Sequence, residues 1–283
     1  MSELREHSLR IGTRRVRYLS GGSGPALLLC HGFMGSAENF AQWFDALTPR
    51  RRLVVPDLPG CGASAPLDGP HTAANLAGAL LPLLDELGVE RLDLGGLCLG
   101  VPVALALLRR RPQAVDRLVL HTPLLSPWLV RRSFHLQVRL LTAPVVHPAA
   151  AWLKDRRLVS DLYKRLMVEG DNVDRAAAEV NFRNQLRADP RCTREWLRDG
   201  LRCQDAGLLA SRRAPSLLLA AAGDRIVEVD RLRALVADCP SVQLDVDAEA
   251  GHGWTAASVR RQLGVITAFL DATPSALMGS PAA

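Results

Sequence analysis

Short apolar runs alternate with amphipathic stretches along most of the chain. Residues 26–30 form a continuous apolar run, which is typical of a strand buried on both faces of a sheet. Less continuous runs predict further strands at residues 15–19, 52–55, 91–94, 117–120, 216–220 and 242–246. Helical periodicity fills the intervals at residues 37–47, 72–87, 99–111, 230–238 and 255–272. This alternation predicts the α/β class, with a mostly parallel, eight-stranded-type sheet and helices on both faces.

Residues 126–207 interrupt the alternation, because their pattern is helical without a convincing strand. A helical insertion between two parallel strands predicts a cap over the carboxyl ends of the strands, where open α/β sheets bind ligands. We therefore predict an α/β core over residues 1–125 and 208–272, a helical cap over 126–207 and a flexible tail over 273–283. The aromatic residues of the cap either line a pocket or form the cap's own core: Trp128, Phe134, Trp152, Tyr163, Phe182 and Trp196.

The chain is basic, with a formal net charge of +6, and residues 126–207 carry 15 Lys and Arg against 10 Asp and Glu. Nucleic-acid binding is one interpretation of such a charge. However, no arginine block is interleaved with stacking aromatics, and acidic residues are scattered among the arginines throughout. We therefore expect no nucleic-acid partner.

Two interpretations fit residues 129–141, where Arg131, Arg132 and Arg139 lie among apolar residues. A helix on a membrane surface is one, and a cap helix with one buried face is the favoured one. No apolar run approaches the roughly 18–20 residues of a membrane span, so we expect no stable membrane insertion. The first ten residues are charged and lack the apolar core of a signal peptide, which predicts a cytoplasmic location.

None of the six cysteines forms a CxxC motif or pairs with histidine at metal-ligand spacing, so we expect reduced thiols and no metal. Residues 95–100 (GGLCLG) are rich in glycine but lack the Lys and Ser/Thr of a phosphate-binding loop. The sequence therefore implies no organic cofactor.

The same residues 95–100 place G-x-C-x-G at a turn from a strand into a helix, in the manner of the nucleophile elbow G-x-S-x-G. Such a turn lifts its central side chain, here Cys98, clear of the sheet. The first N–H groups of the helix and its positive dipole end favour the thiolate. A buried structural cysteine in a Gly-rich turn is the alternative.

The loop at residues 31–36 (HGFMGS) follows the buried strand 26–30 and reaches toward the elbow. Its Phe33 N–H, together with the Leu99 N–H, is expected to form an oxyanion hole. We interpret His31 mainly as a structural residue of this loop. His31 and the adjacent Met34 are nevertheless candidates for the substrate pocket.

An acid and a base are expected to follow the nucleophile in that order. Asp224 comes directly after strand 216–220, and its alternative role is to form a turn or to cap a helix. Asp230 and Asp247 are weaker rivals. His252 lies between two glycines on a loop before the last helix, where it has little packing reason to exist.

Three further residues are candidates for the pocket. His121 ends the strand before the cap and is a second-tier candidate, Trp128 begins the cap, and Trp254 follows the loop of His252.

Taken in order, these motifs resemble those of the α/β-hydrolase fold family over nearly the whole chain. The matching residues are 31–35 (HGFMG), 57–64 (DLPGCGAS), the elbow 96–100, 223–224 (GD) and 251–252 (GH). The resemblance implies a nucleophile at Cys98, an acid at Asp224 and a base at His252. It also implies oxyanion-hole amides at Phe33 and Leu99 and a cap between the sixth and seventh strands.

The chain departs from the family pattern at two positions. Most members have Ser at the position of Cys98, and many have His at the position of Cys61. A cysteine elbow is shared with dienelactone hydrolases and polyhydroxyalkanoate synthases, which the chain resembles at this motif. Synthases are generally longer, and dienelactone hydrolases generally lack so large a cap.

These residues predict a hydrolase of a small ester, lactone or thioester, acting through an acyl-cysteine with a Cys-His-Asp triad. A sulfur leaving group makes attack on amides less productive, so peptides are not expected substrates. An acyltransferase or cyclase with the same triad is the alternative, because a thioester also transfers its acyl group to amines, alcohols or carbanions. A non-catalytic ligand-binding member of the fold is the third possibility. The expected partner is a small acyl substrate.

Overall fold

A computed structural model describes residues 4–169, 175–253 and 255–273. Within these residues, eight strands form one sheet in the order β1-β2-β4-β3-β5-β6-β7-β8. The strands are β1 (Arg5–Ile11), β2 (Arg14–Gly21), β3 (Ala26–Cys30), β4 (Arg52–Pro56), β5 (Leu92–Leu97), β6 (Val115–His121), β7 (Ser216–Ala221) and β8 (Val242–Asp247). The neighbouring strands in β4-β3-β5-β6-β7-β8 pair parallel. The pairs β1 with β2 and β2 with β4 are antiparallel. The predicted fold class is confirmed.

The first strand, β1, was absent from the sequence prediction. It lies at the edge of the sheet and pairs with β2, with Arg5 opposite Ser20 and Ile11 opposite Arg14. All of its side chains are exposed or only half-buried, so its sequence lacks the apolar alternation that marks the other strands.

Helices cover both faces of the sheet, and β3 shows how the two cores are divided. Leu27 and Leu29 pack into the core on one face, whereas Leu28 and Cys30 pack into the core on the other. This alternation follows from the two-residue period of a strand and explains why the whole run is apolar. The helices outside the insertion are α1 (Ala41–Leu47), α2 (Ala73–Glu86), α3 (Gly100–Arg110), α10 (Val229–Ala237) and α11 (Ala256–Asp271).

Helices joined by turns and loops make up the segment between β6 and β7, and its described residues contain no strand. It contains α4 (Arg132–Leu141), α5 (His147–Lys154), α6 (Arg157–Lys164), α7 (Arg175–Arg187), α8 (Pro190–Gly200) and α9 (Ala206–Ser211). We call it the helical insertion.

Helix α8 attaches the insertion to the rest of the fold. The Asp199 carboxylate accepts a hydrogen bond from the Ala73 N–H at the start of α2, at 2.7 Å. Glu195 accepts the backbone N–H of His71 at 2.9 Å. None of the helices in the described residues combines the length and the apolar character that crossing a membrane requires. Of the predicted tail, residues 274–283 lie outside the described residues.

Candidate active site

Cys98 occupies a strained turn between β5 and α3. Its φ of 51° lies in the left-handed region, which few residues other than glycine adopt without cost. The turn is tight, because a Cβ on Gly96 would lie 2.8 Å from the Val101 Cα and a Cβ on Gly100 would lie 2.2 Å from the Cys30 carbonyl oxygen. Glycine is therefore required two positions before and two after Cys98, as the elbow motif predicts.

Three residues that are distant in sequence meet at this turn. The Nε2 atom of His252 lies 3.3 Å from the Sγ of Cys98. On the other side of the imidazole ring, Nδ1 lies 2.9 Å from Oδ2 and 3.1 Å from Oδ1 of Asp224. Asp224 Oδ1 also accepts the N–H groups of Ile226, at 2.7 Å, and Val227, at 2.9 Å. The carboxylate is thereby fixed in the orientation that holds the ring.

Charge is concentrated within this set of side chains. Burial by itself would lower the pKa of His252, but the Asp224 carboxylate and, after it, Cys98 raise that pKa well above its usual value. Burial would raise the pKa of Asp224, but His252 and the two backbone N–H groups lower it below its usual value. Each partner therefore favours the charged form of the other, and the pair can carry a proton on the imidazole beside the thiol.

The two amides expected to form an oxyanion hole border the same space. In the loop after β3, the Gly32 carbonyl accepts the Gly35 N–H at 3.0 Å and lies 2.9 Å from His31 Nδ1. Within the described part of the chain, neither the Phe33 N–H nor the Leu99 N–H donates a hydrogen bond. Both groups are therefore available to an oxygen atom bound near Cys98.

A cavity of about 710 Å³ opens over Cys98 and is lined by Phe33, Met34, Leu99 and His252 as well as by Cys98 itself. The insertion supplies most of the remaining wall. Its apolar lining includes Phe134, Val138, Leu141, Leu153, Val159 and Leu197. The polar lining includes Asn39, Gln42, Tyr163, Lys164, Asn181 and Gln185. The space is therefore largely apolar, with polar groups at its borders.

Two of the histidines expected at the pocket lie behind its wall. His31 is fully buried, and its Nε2 accepts the Leu58 N–H at 2.9 Å, so the ring proton is on Nδ1 and faces the Gly32 carbonyl. His121 is also buried, and burial, followed by the charge of His252, lowers its pKa to about 3. Its backbone carbonyl accepts the Cys98 N–H at 2.9 Å, which helps to position the elbow.

The two tryptophan candidates have different outcomes. Trp128 lies outside the cavity wall, with 46% of its surface exposed, because the turn at Pro127–Leu129 directs it toward solvent. Trp254 lies outside the described residues. Of the five pocket candidates, only Met34 therefore lies in the described wall of the cavity.

Asn39 is a cavity residue that the sequence prediction missed. Its amide Nδ2 donates to Asn181 Oδ1 at 2.8 Å, which joins the region after β3 to helix α7 of the insertion. Its Oδ1 accepts the Ser36 N–H at 2.8 Å and the Asn184 amide at 3.3 Å. Ser36 and Asn39 form a capping box, and the S-x-x-N spacing was the available signal for it.

Comparison with known proteins places this chain in a family. Residues 25–253 match the alpha/beta hydrolase fold. The chain belongs to the alpha/beta hydrolase fold family. The match extends from the start of β3 to the loop of His252. It confirms the expected enzyme class, a hydrolase of the α/β fold.

Relatives of this α/β hydrolase have different assigned activities. It is 29% identical over 274 residues to a protein of Caulobacter sp. (strain K31) with the provisional name carbamate hydrolase RutD, over 93% of this chain and 98% of the relative. It is 35% identical over 162 residues to the dihydrolipoyllysine-residue acetyltransferase component of the acetoin cleaving system of Cupriavidus necator, over 54% of this chain and 43% of that protein. The solved structure of an esterase, RhEst1 from Rhodococcus sp. ECU1013, superposes with a TM-score of 0.78 at 21% identity, over 95% of this chain and 98% of that chain. This last likeness shows a shared fold.

Proposed function

We propose that this protein hydrolyses a small ester, lactone or thioester through an acyl-cysteine intermediate on Cys98. The observation that carries the proposal is the 3.3 Å separation between Cys98 Sγ and His252 Nε2. The same cavity is bordered by the Phe33 and Leu99 N–H groups, which donate no hydrogen bond to any described residue. The further contact of His252 with Asp224 supports a Cys-His-Asp triad, because it orients the imidazole and stabilises its charged form.

The proposed reaction begins with transfer of the Cys98 proton to His252. The thiolate attacks the acyl carbon, and the developing oxyanion accepts hydrogen bonds from the N–H groups of Phe33 and Leu99. His252 returns the proton to the departing alcohol or thiol, which leaves the acyl group on sulfur as a thioester. Water, giving a proton to His252, then attacks the thioester, and the acid product departs as Cys98 regains its proton.

The cavity supports a small substrate with an apolar acyl or alcohol group. Its volume of about 710 Å³ lies within the range of roughly 300–1,000 Å³ typical of sites for small molecules. Apolar side chains such as Phe134 and Val138 line it.

We also propose that residues 126–207 act as a cap on this core. Helices α4 to α8 all contribute residues to the cavity wall, and Asn181 of α7 bonds to Asn39 beside the loop after β3. A cap in this position excludes bulk water from the acyl-enzyme and so influences whether water or another acceptor reacts with it.

Turnover of p-nitrophenyl esters tests the role of Cys98. We expect Cys98→Ala to lose measurable turnover, whereas Cys239→Ala, the same change at a buried cysteine away from the cavity, should retain it. Intact-mass analysis after rapid quenching should detect one acyl group on the wild-type protein and none on Cys98→Ala. Equal turnover by Cys98→Ala and the wild type would refute the proposal.

An acyltransferase or cyclase with the same residues is the second candidate. It is favoured by the partial similarity to an acetyltransferase component and by the thioester nature of the intermediate. The acyl adduct on Cys98 should then persist in water and disappear when an amine, alcohol or thiol acceptor is added. Rapid hydrolysis regardless of the acceptor counts against transfer, whereas binding without any adduct or turnover indicates a non-catalytic member of the fold.

A further inference from the structure

Helices α4 and α6 and the turns that follow them expose large apolar side chains to solvent. We call the following set the apolar face: Leu136, Leu140, Val145, Leu158, Leu162 and Leu166. Val145 is 91% exposed and Leu158 is 85% exposed. Single exposed apolar residues are ordinary, but a group of this kind on two helices that both pack against α5 marks an interaction surface.

The apolar face is additional to the apolar side that these helices turn inward. On α4, Phe134 and Val138 are buried and line the cavity, whereas Leu136 and Leu140 are 68% and 58% exposed. Along α6 and the turn after it, Leu158, Leu162 and Leu166 recur every four residues and so share one side. A helix that packs against the rest of the fold on one side needs a single apolar stripe. A second apolar stripe therefore requires another partner.

The cavity opens beside this face. Leu153 of α5 and Val159 of α6 both line the cavity, and they are also 38% and 40% exposed. Their sequence neighbours Trp152 and Leu158 are 59% and 85% exposed, so Leu153 and Val159 lie between the cavity and the outer surface. A partner bound to the apolar face therefore lies next to the route by which a substrate reaches Cys98.

Charge indicates which partner fits. Residues 131–169 contain eight Lys and Arg against three Asp and Glu, which gives this segment a net charge of +5. A second copy of the chain would bring an equal positive charge against this segment, and the two segments would repel each other. An anionic surface would instead attract the basic residues while its interior receives the apolar side chains, as in helices that lie in a membrane interface.

We propose that the apolar face docks reversibly on an anionic lipid surface, with the opening of the cavity directed at that surface. The leucines of α4 and α6 enter the boundary between headgroups and acyl chains, and the basic residues around them contact the headgroups. The helices lie on the membrane and do not cross it. This proposal concerns binding and holds whatever reaction occurs at Cys98.

Vesicle flotation tests the proposal with the full-length protein. Phosphatidylcholine vesicles containing phosphatidylserine should carry the wild type upward, and vesicles of phosphatidylcholine alone should carry at least tenfold less. In the double variant Leu158→Glu with Leu162→Glu, the fraction of protein bound to these vesicles should fall at least tenfold. Leu4→Glu, the same change at a 45% exposed residue outside the insertion, should bind as the wild type does.

Circular dichroism and thermal melting check that the variants are folded, which is expected because both leucines are exposed and neither lines the cavity. Leu136→Glu with Leu140→Glu on α4 repeats the test and decides it if the first pair is unfolded. Equal flotation by the folded double variants and the wild type, or no flotation by the wild type, overturns the proposal. A wild-type dimer in sedimentation velocity that the double variants dissociate, without vesicle binding, assigns the face to a second copy and also overturns it.

Discussion

Substitution of Gly100 by alanine tests the close approach on which the elbow depends. A Cβ at this position would lie 2.2 Å from the carbonyl oxygen of Cys30 and 2.5 Å from that of His31. Both oxygens belong to the backbone at the end of β3, so neither can rotate away as a side chain does. The added methyl group must separate α3 from this strand.

The expected cost follows from opposing effects. Forcing an extra carbon into a packed site costs about 1–3 kcal/mol, and more where rigid backbone is displaced. Replacing glycine by alanine in a helix returns at most about 1 kcal/mol. Because two backbone contacts are violated here, we expect the free energy of unfolding of Gly100→Ala to fall by about 2–3 kcal/mol.

Urea denaturation followed by circular dichroism measures this change. The matched control is Gly264→Ala, which makes the same substitution in the middle of α11, where a Cβ meets no atom within 4 Å. We expect the control to gain about 0.5–1 kcal/mol. Equal free energies of unfolding for the two variants, within about 0.5 kcal/mol, would refute the argument from close approach.

Catalysis provides a second measurement on the same variant. Displacement of α3 moves Cys98 relative to His252, and a misplacement of about 1 Å reduces the rate by roughly 100-fold. We therefore expect kcat for a p-nitrophenyl ester to fall by about that factor in Gly100→Ala and to remain unchanged in Gly264→Ala.

Three further predictions follow from the site. The raised pKa of His252 means that its charged form stabilises the folded protein, fully below a pH of about 6.5 and less as the pH rises through the raised value. The stability advantage of the wild type over His252→Gln should therefore narrow as the pH rises above about 6.5, and a difference in free energy of unfolding that stays constant with pH contradicts this. Asp224→Asn should reduce kcat by about 10³–10⁴-fold with little change in KM, because the ring loses its oriented charge partner; a change in KM alone contradicts it. Asn181→Ala should lower the free energy of unfolding by about 1 kcal/mol through loss of the Asn39 hydrogen bond, and an unchanged urea midpoint contradicts it.

The strands inside the sheet and the elbow were predictable because each depends on neighbouring residues. Residues 26–30 are apolar throughout because both faces of β3 are covered, and a five-residue window contains that information. The elbow likewise needs only Gly96, Cys98 and Gly100, since its strain and its close contacts arise within one turn. Edge strand β1 has no such signature, because its pairing with β2 does not require burial.

The walls of the cavity depended on tertiary packing. Trp128 was a pocket candidate from the sequence, but 46% of its surface is exposed. His31 was a second candidate, although a structural role was favoured for it, and it accepts the Leu58 N–H behind the wall. The sequence did not indicate that Asn39 would meet Asn181, because these residues are separated by 142 positions. Nor did it reveal that α6 would leave one of its apolar sides exposed.

The sequence by itself therefore determined the alternation of strands and helices after β1, the strained turn at Cys98, and the candidates Asp224 and His252 in loops that follow strands. Tertiary structure decided which side chains surround Cys98 and which face of the insertion stays open. The physical reason is that hydrophobic periodicity specifies that a side chain is buried, whereas its neighbours are set by how separate elements pack together.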